Sequence, residues 1–301
     1  MAALELRHLR YLLAVAEHGN FTRAAEDLRI SQPTLSQQIK QLERTLGVQL
    51  LDRTGRTVRP TDAGAVYVEH ARRALRDLAA AERAVHDLQD LSQGHLRLAV
   101  TPTFTTYLIG PVIAELHARH PGITVTLTEA TQDRIEAGLT DDEVDLGIAF
   151  TAIHQPGIAT TPLFTETLSL VTAAQHPTSR HQPMPVHNLD RQQLALLSTD
   201  FATRSHIDAY FTRHRVHPRI AVEANSIQAL TEIVQRTGLA TVLPDAITHD
   251  HDYLTPVSLD PPLPSRTVTL LTREGAYLSA AARAFIRLIH DHVTARSYTP
   301  T

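Results

Sequence analysis

The chain has 301 residues and contains no cysteine, no tryptophan and only one lysine, Lys40. The lack of cysteine excludes disulfide bonds, thiol catalysis, thiol-based redox sensing and zinc fingers with cysteine ligands. No run of about 18 apolar residues occurs, so we expect no transmembrane helix. The N-terminus sets Glu5, Arg7 and Arg10 among leucines and lacks the apolar core of a signal peptide, which predicts a cytoplasmic protein.

Histidine is abundant by contrast, with 18 residues. Two pairs, His249 with His251 and His290 with His292, have the short spacing that metal ligands sometimes show. These spacings match no closed zinc set, so we expect solvated histidines and no metal site. The length and a hydrophobic content of 43% are sufficient for two domains with sizeable cores.

The most informative stretch is residues 21–46, where apolar residues recur at helical spacing. Leu35, Ile39, Leu42 and Leu46 form one apolar stripe. The opposite face is polar, and short hydrogen-bonding side chains of that kind recognise base edges in the DNA major groove; it carries Ser36, Gln37, Lys40 and Arg44.

The residues around this helix predict a helix-turn-helix. Ser31 stands at the N-cap position and Pro33 falls in the first turn, where a missing N–H does no harm. An earlier apolar pattern over 6–17 ends at Gly19 and Asn20. Three helices with the third presented outward form a DNA-binding arrangement. The alternative is a small helical bundle with a solvated polar face.

The following segment is predicted to be a basic hairpin, or wing. Two short extended runs, 50–53 and 57–60, flank Gly55, and glycine at a hairpin tip supplies positive φ. Arg53, Arg56 and Arg59 would then face phosphates or a minor groove. Residues 1–62 hold nine Lys and Arg against seven Asp and Glu, a net charge of +2 in a chain whose total is −4. The alternative is an ordinary basic hairpin.

Residues 62–93 form one long helical pattern with an apolar stripe that includes Val66, Leu78 and Val85. A lone helix of this length must bury its stripe, most simply against a second copy of itself. We therefore expect a dimer, which would place two recognition helices on one DNA duplex. The alternative is a helix packed within the chain.

From Gly94 onward strands and helices alternate, which predicts two α/β lobes with a parallel sheet. Thr101, Thr103 and Phe104 follow the first strand, and Ser198 and Thr203 occupy the equivalent edge of the second lobe. Hydroxyls and free N–H groups at these edges would bind a small anion in the cleft. The alternative is that these residues only cap helices.

At this point the sequence resembles the LysR-type transcriptional regulators along essentially its whole length. The segments that carry the resemblance are Phe21-Thr22-Arg23-Ala24-Ala25, Ser31-Gln32-Pro33, Leu42-Glu43, Leu46-Gly47 and Thr61-Asp62-Ala63-Gly64. The resemblance implies an α+β multidomain protein with a winged helix-turn-helix, a dimerising linker helix and a two-lobed effector domain with a periplasmic-binding-protein fold. The implied boundaries are 4–61 (helix-turn-helix 21–40), 62–93 and 94–301, with lobe I about 94–163 and 267–293 and lobe II about 164–266.

The resemblance also implies function. It predicts a tetramer on a dyad-symmetric double-stranded DNA operator, activation of an operon with RNA polymerase as a partner, and no enzymatic activity. The effector half is most similar to the cyanate-responsive members, which implies cyanate or a similar anion as effector; another small carboxylate or metabolite is the alternative. The residues expected to contact DNA are Thr22, Gln32, Pro33, Ser36, Gln37, Lys40, Arg53 and Arg56.

Two other classes of function can be weighed from the sequence. Ser198, Asp200 and His206 suggest a hydrolase triad, but there is no G-x-S-x-G elbow, and one strand–helix junction cannot readily supply three converging groups. A solute-binding protein is the second alternative, and the lack of a signal peptide disfavours it.

Overall fold

The computed structural model describes residues 5–55, 57–87, 94–152, 154–176, 183–249 and 251–296. The chain divides into two compact units, 1–86 and 87–301. Each unit has its own hydrophobic core.

The first unit begins with three short helices, and their ends follow from the local sequence. Gly19 adopts φ +58° after the first helix, and Asn20 caps the second through its side-chain oxygen, which accepts from the N–H of Thr22 at 2.8 Å. Ser31 caps the third by accepting from the N–H of Thr34 at 3.3 Å. The helices are α1 (Leu6–His18), α2 (Phe21–Asp27) and α3 (Gln32–Leu46).

The apolar stripe of α3 is shorter than predicted. Leu35, Ile39 and Leu42 are buried against α1 and α2, but Leu46 is 38% exposed. Leu46 is the last residue of the helix, just before Gly47, and lies beyond the part that α1 and α2 cover. The core of this unit therefore ends one helical turn earlier than the sequence pattern suggested.

The predicted wing is present as the antiparallel strands β1 (Leu51–Asp52) and β2 (Arg59–Pro60). The helix α4 (Asp62–Asp87) follows, and its predicted continuation over 88–93 lies outside the described residues. Gly64 fits the junction because a Cβ there would lie 1.9 Å from the carbonyl oxygen of Leu50.

In the second unit, lobe I is built on a five-stranded sheet in the order β4-β3-β5-β14-β6. The first three strands of this sheet are parallel, while β14 runs antiparallel to both β5 and β6. The strands are β3 (Gly94–Val100), β4 (Ile123–Glu129), β5 (Leu146–Phe150), β6 (Ile158–Glu166) and β14 (Arg266–Arg273).

The helices of lobe I are α5 (Pro102–Phe104), α6 (Gly110–Arg119), α7 (Gln132–Thr140) and α11 (Ala280–Ala295). The chain is already helical at Pro102 and passes through a π turn at Thr105–Ile109 before α6 begins. Pro111 cannot donate the N–H that a regular α-helical register would require there.

Lobe II has smaller sheets that join strands distant in sequence. The strand β7 lies between β11 and β12 and is antiparallel to both, whereas β9 pairs with β10 in parallel and β8 pairs with β13 in parallel. The strands are β7 (Leu168–Ala173), β8 (Met184–Pro185), β9 (Gln193–Leu197), β10 (Arg219–Ala224), β11 (Thr241–Pro244), β12 (Leu254–Val257) and β13 (Leu259–Asp260). The helices are α8 (Ala202–His214), α9 (Ile227–Arg236) and α10 (Asp245–Thr248), with a 3-10 turn at Val186–Arg191.

The predicted parallel sheet is present in β3, β4 and β5, but β14 and β6 make the sheet of lobe I mixed. The chain leaves lobe I after β6 and returns to it as β14, which enters the sheet between β5 and β6 in the opposite direction. Two chain crossings, at Thr167 and at residues 261–265, connect the lobes.

Candidate functional site

The first candidate surface is the outward face of α3. Gln32, Pro33, Gln37 and Lys40 are exposed, and Ser36 is half-buried beside them. The apolar residues of the helix point the other way into the core, so this face takes no part in holding the fold. It is free to enter a DNA groove, as an exposed recognition helix must be.

Two other predicted DNA contacts flank this face, one at the start of α2 and one in the wing. Thr22 is exposed. Arg53 forms an ion pair with Glu43 at 2.9 Å, with its guanidinium 4.9 Å from the centre of the Phe21 ring. Arg53 is thus anchored where the wing meets α3. Arg56, also predicted to contact DNA, lies outside the described residues.

Glu43 is a functional residue that the sequence analysis missed as such. One of its carboxylate oxygens accepts from the N–H groups of Leu50 (3.0 Å) and Leu51 (3.1 Å), and the other accepts from Arg53. Glu43 therefore fixes the start of the wing relative to α3. The sequence signal for this role was an acidic residue at the buried edge of a recognition helix, followed by a basic hairpin.

The second candidate site is a cavity of about 420 Å³ between the lobes of the second unit. It lies at the carboxyl ends of parallel strands, where the helices α5, α7 and α8 begin. Three of the five predicted effector residues, Thr101, Thr103 and Thr203, line it. The structure thus brings together the hydroxyls of both lobes.

Thr101 is the most informative of these residues. Its side chain is 4% exposed, and its hydroxyl has no hydrogen-bond partner in the described part of the chain. A buried hydroxyl without a partner is energetically unfavourable and indicates a missing ligand or solvent contact. Thr101 lines the cavity, so its unsatisfied hydroxyl belongs to the wall that a bound molecule would contact.

The other two predicted effector residues are not part of the cavity lining. Phe104 is fully buried, and its ring centre lies 4.9 Å from that of Phe150, which does line the cavity. Ser198 donates its backbone N–H to the carbonyl of Ala224, and its hydroxyl is buried away from the cavity. Phe104 supports the cavity wall from behind, while Ser198 belongs to the strand edge.

A buried network behind the cavity was not found by sequence reasoning. Arg266 donates to Glu166 at 2.6 Å and to the hydroxyl of Thr203 at 3.0 Å, and its guanidinium lies 3.6 Å from the Phe150 ring centre. Tyr107 donates to the same carboxylate at 2.5 Å. These residues come from both lobes, and Glu166 and Arg266 lie next to the chain crossings at Thr167 and 261–265, so the network links the cavity wall to these crossings.

Burial raises the pKa of Glu166 above the usual value of a glutamate, although Arg266 and Tyr107 act in the opposite direction. The distances in sequence between these residues explain why the network went unnoticed, since 59 residues separate Tyr107 from Glu166 and 100 separate Glu166 from Arg266. No local motif connects them.

Arg204, which follows the cavity residue Thr203 at the start of α8, has a structural role. It is buried and donates to the carbonyl of Leu197 and to Glu223, both at 2.8 Å, and to Asp208 at 3.0 Å. These bonds hold the start of α8 to the strands β9 and β10. Arg204 does not line the cavity.

The residues of the hydrolase alternative do not assemble into a triad. The imidazole Nε2 of His206 lies 3.0 Å from the carbonyl oxygen of Pro264, while the hydroxyl of Ser198 has no partner among the described residues. Asp200 lines the cavity instead. Among the described residues, no group of three His, Asp or Glu side chains is placed to hold a metal ion. No helix in this part of the chain is long and apolar enough to cross a membrane.

An exposed recognition helix with a wing, joined by a long helix to a two-lobed domain with a central cavity, defines a ligand-binding transcription regulator. Family models agree with each half. The bacterial regulatory helix-turn-helix protein, lysR family, matches residues 6–65, and the LysR substrate binding domain matches residues 89–294. The chain belongs to the LysR family of DNA-binding transcription regulators.

Individual relatives cover almost the whole chain. The DNA-binding transcriptional dual regulator OxyR of Escherichia coli (strain K12) is 30% identical over 278 residues, 91% of each chain. A probable RuBisCO transcriptional regulator of Trichormus variabilis is 32% identical over 293 residues, 93% of this chain and 86% of that protein. These relatives are transcription regulators and not enzymes, as the sequence predicted for this chain.

Solved structures have the same fold. A full-length OxyR cysteine variant from Pseudomonas aeruginosa has a TM-score of 0.68 at 24% identity and covers 99% of this chain and 97% of its own. CbnR in complex with its target DNA has a TM-score of 0.56 at 23% identity and covers 96% and 100%. None of the relatives and structures named above is described as a cyanate-responsive regulator.

Proposed function

We propose that this protein binds a dyad-symmetric operator in the cytoplasm as a dimer or homotetramer. It regulates transcription chiefly as an activator that works with RNA polymerase. Its signal is a small molecule bound between the lobes of its second unit. The exposed polar face of α3 is the observation that carries the DNA-binding part of this proposal. Its side chains Gln37 and Lys40 are exposed and lie outside the hydrophobic core. The neighbouring wing is held in place by Glu43.

The exposed apolar side chains of α4 support dimerisation. Val66 is 61% exposed, Leu78 42% and Val85 59%, all on one amphipathic helix. Large aliphatic side chains at helical spacing are stabilised when a second helix covers them. A pair of α4 helices would bring two copies of α3 to one duplex, which agrees with a dyad-symmetric operator.

The signal is proposed to be a small molecule with a negatively charged group. The helices α7 and α8 begin at the cavity, which places the positive ends of their dipoles there, and the Thr101 hydroxyl has no hydrogen-bond partner among the described residues. Several relatives are named as hydrogen peroxide-inducible genes activators. This chain has no cysteine, so oxidation of a thiol is not its signal.

Cyanate is the narrower form of this proposal, and the resemblance in sequence is what supports it. A different small carboxylate or metabolite fits the same cavity. Isothermal titration of the full-length protein with cyanate and azide tests this form: heat that disappears in Thr101→Val would support cyanate, and no heat with either anion would remove it.

Fluorescence anisotropy with a duplex from upstream of the protein's own gene tests DNA binding. We expect the full-length protein to bind this duplex more tightly than a scrambled duplex, with affinity that falls as salt rises. Lys40→Ala should lower the slope of log K against log salt by about 1. Arg236→Ala, which removes an exposed arginine of α9 in the second unit, is the matched control and should leave the slope unchanged. Equal affinity for both duplexes would contradict the proposal.

A further inference from the structure

The cavity between the lobes has an unusual balance of charge for an anion site. Three carboxylates line it, those of Glu129, Asp133 and Asp200. None of the lining residues that the structure describes is lysine, arginine or histidine. A ligand with only negative charge would therefore meet three like charges at close range, which disfavours its binding.

A cation behind the cavity wall, Arg266, does not reverse this balance. Arg266 lies behind the Phe150 ring and is 9% exposed. Its guanidinium is already paired with Glu166 at 2.6 Å and bonded to Thr203 at 3.0 Å. Because Glu166 compensates its charge, Arg266 offers little attraction to a second anion.

The three carboxylates differ in how far they are engaged. Glu129 accepts from the hydroxyl of Thr105. A hydrogen bond from Thr131 lowers the pKa of Asp133, which sits in the first turn of α7 and is fully exposed to solvent. Asp200 lies two residues before the first residue of α8 and has no hydrogen bond or ion pair within the described residues. Asp200 is thus the carboxylate most available to a ligand.

The same cavity also holds features that attract a negative group. The helices α7 and α8 start at its edge with Gln132 and Ala202, which places the positive ends of their dipoles there, although Asp133 already accepts from the N–H of Arg134 in the first turn of α7. The hydroxyl of Thr101 is buried and unpartnered on the opposite wall. The cavity therefore offers both a place for a carboxylate and a place for a cation.

We infer that the ligand of this cavity is a small zwitterion of the amino-acid type, with one carboxylate and one ammonium group. The carboxylate binds the hydroxyl of Thr101 and the N–H groups at the start of α8. The ammonium group binds Asp200, with Glu129 and Asp133 adding negative potential. A volume of about 420 Å³ accommodates a molecule of this size. The inference rests on the proposed function and specifies its ligand class.

The experiment uses the full-length protein and the twenty L-amino acids as probes, first by thermal shift and then by isothermal titration. We expect at least one amino acid to bind. Its deaminated and decarboxylated analogues should each bind at least about tenfold more weakly, since each lacks one of the two charged contacts. Cyanate and acetate serve as anions without an ammonium group and should bind no better than the deaminated analogue.

Three variants locate the contacts. Asp200→Asn should weaken the amino acid at least about tenfold while leaving the deaminated analogue unchanged or tighter. Thr101→Val should weaken both. Glu115→Gln removes a partly exposed acid of α6 outside the cavity and should change neither. Because Asp200 is exposed, its replacement leaves the core intact.

Two outcomes would overturn the inference. One is a deaminated analogue or cyanate that binds as tightly as every amino acid tested, and the other is a panel in which no amino acid binds. An anion that binds as tightly as every amino acid tested, and whose binding is lost in Thr101→Val, would refute the zwitterion but leave the proposed function standing. Failure to bind DNA in the anisotropy experiment would refute the proposed function whatever the cavity binds.

Discussion

The two units hold their functional side chains in different ways. In the first unit a single helix, α3, presents a convex polar face, and an apolar core of Leu35, Ile39 and Leu42 supports it from behind. In the second unit, the loops and helix starts of both lobes form a concave cavity, and a buried polar network around Arg266 and Glu166 supports its wall. A void in an apolar core is destabilising, whereas a buried polar network responds to protonation and to the position of the lobes.

The largest effect is expected from a substitution at the junction of wing and α4. Gly64→Ala would place a Cβ 1.9 Å from the carbonyl oxygen of Leu50, and backbone must move to relieve this contact. We expect DNA affinity to fall by about 100-fold or more in anisotropy measurements, while ligand binding by the second unit is retained. Gly238→Ala is the control, since a Cβ there meets nothing within 4 Å. Unchanged DNA affinity in Gly64→Ala would show that the junction does not position α3.

The next effect separates the buried and exposed parts of the α3 stripe. Leu35→Ala opens a cavity in the core of the first unit and should lower its free energy of unfolding by about 2–5 kcal/mol. Leu46→Ala, at a residue 38% exposed, should lower it by less than about 1 kcal/mol. Urea denaturation of the full-length protein, followed by helix circular dichroism, measures both. Similar losses would mean that another surface covers Leu46 in solution.

This pair of leucines illustrates what the sequence could predict and what it could not. Helical periodicity identified α3 and its polar face because those signals are contained within a few turns of one element. Periodicity could not show that Leu46 lies beyond the part of α3 that α1 and α2 cover, since that depends on the lengths of these two helices. Likewise, Thr101 and Thr203 were predicted as cavity residues from their positions at strand and helix ends. Arg266 was not predicted, because it lies on β14, and no local sequence pattern shows that this strand inserts antiparallel between β5 and β6.

A double-mutant cycle on Glu43 and Arg53 tests how the wing is held. Glu43→Gln removes a charge that accepts three hydrogen bonds, and we expect DNA affinity to fall by roughly 1.5–3 kcal/mol. If Arg53 acts mainly through this pair, Arg53→Met should cause a similar loss and the double variant little more. Additive losses would instead indicate that Arg53 contacts DNA directly, as the sequence analysis predicted.

Gln37→Ala should act on specificity more than on affinity. Gln37 is exposed on the polar face of α3, and a glutamine amide that reads a base edge contributes about 1–3 kcal/mol of discrimination. We expect the variant to accept substitutions at one operator position with little change in affinity for scrambled duplexes. Anisotropy with a set of single-base operator variants measures this. Arg44→Ala on the same helix is the comparison, and it should weaken all duplexes alike.

The smallest effect concerns the polar support of the cavity. Burial raises the pKa of Glu166, so the folded protein holds this proton more tightly than the unfolded chain does. Its contribution to stability is then fully present below the ordinary glutamate pKa and is lost as the pH rises through the raised value. Glu166→Gln cannot titrate, so the melting temperature of the wild type relative to the variant should fall as the pH rises over the range above the ordinary glutamate pKa. Scanning fluorimetry across this range measures the difference; a wild-type advantage that grows with pH would show that Arg266 and Tyr107 outweigh burial.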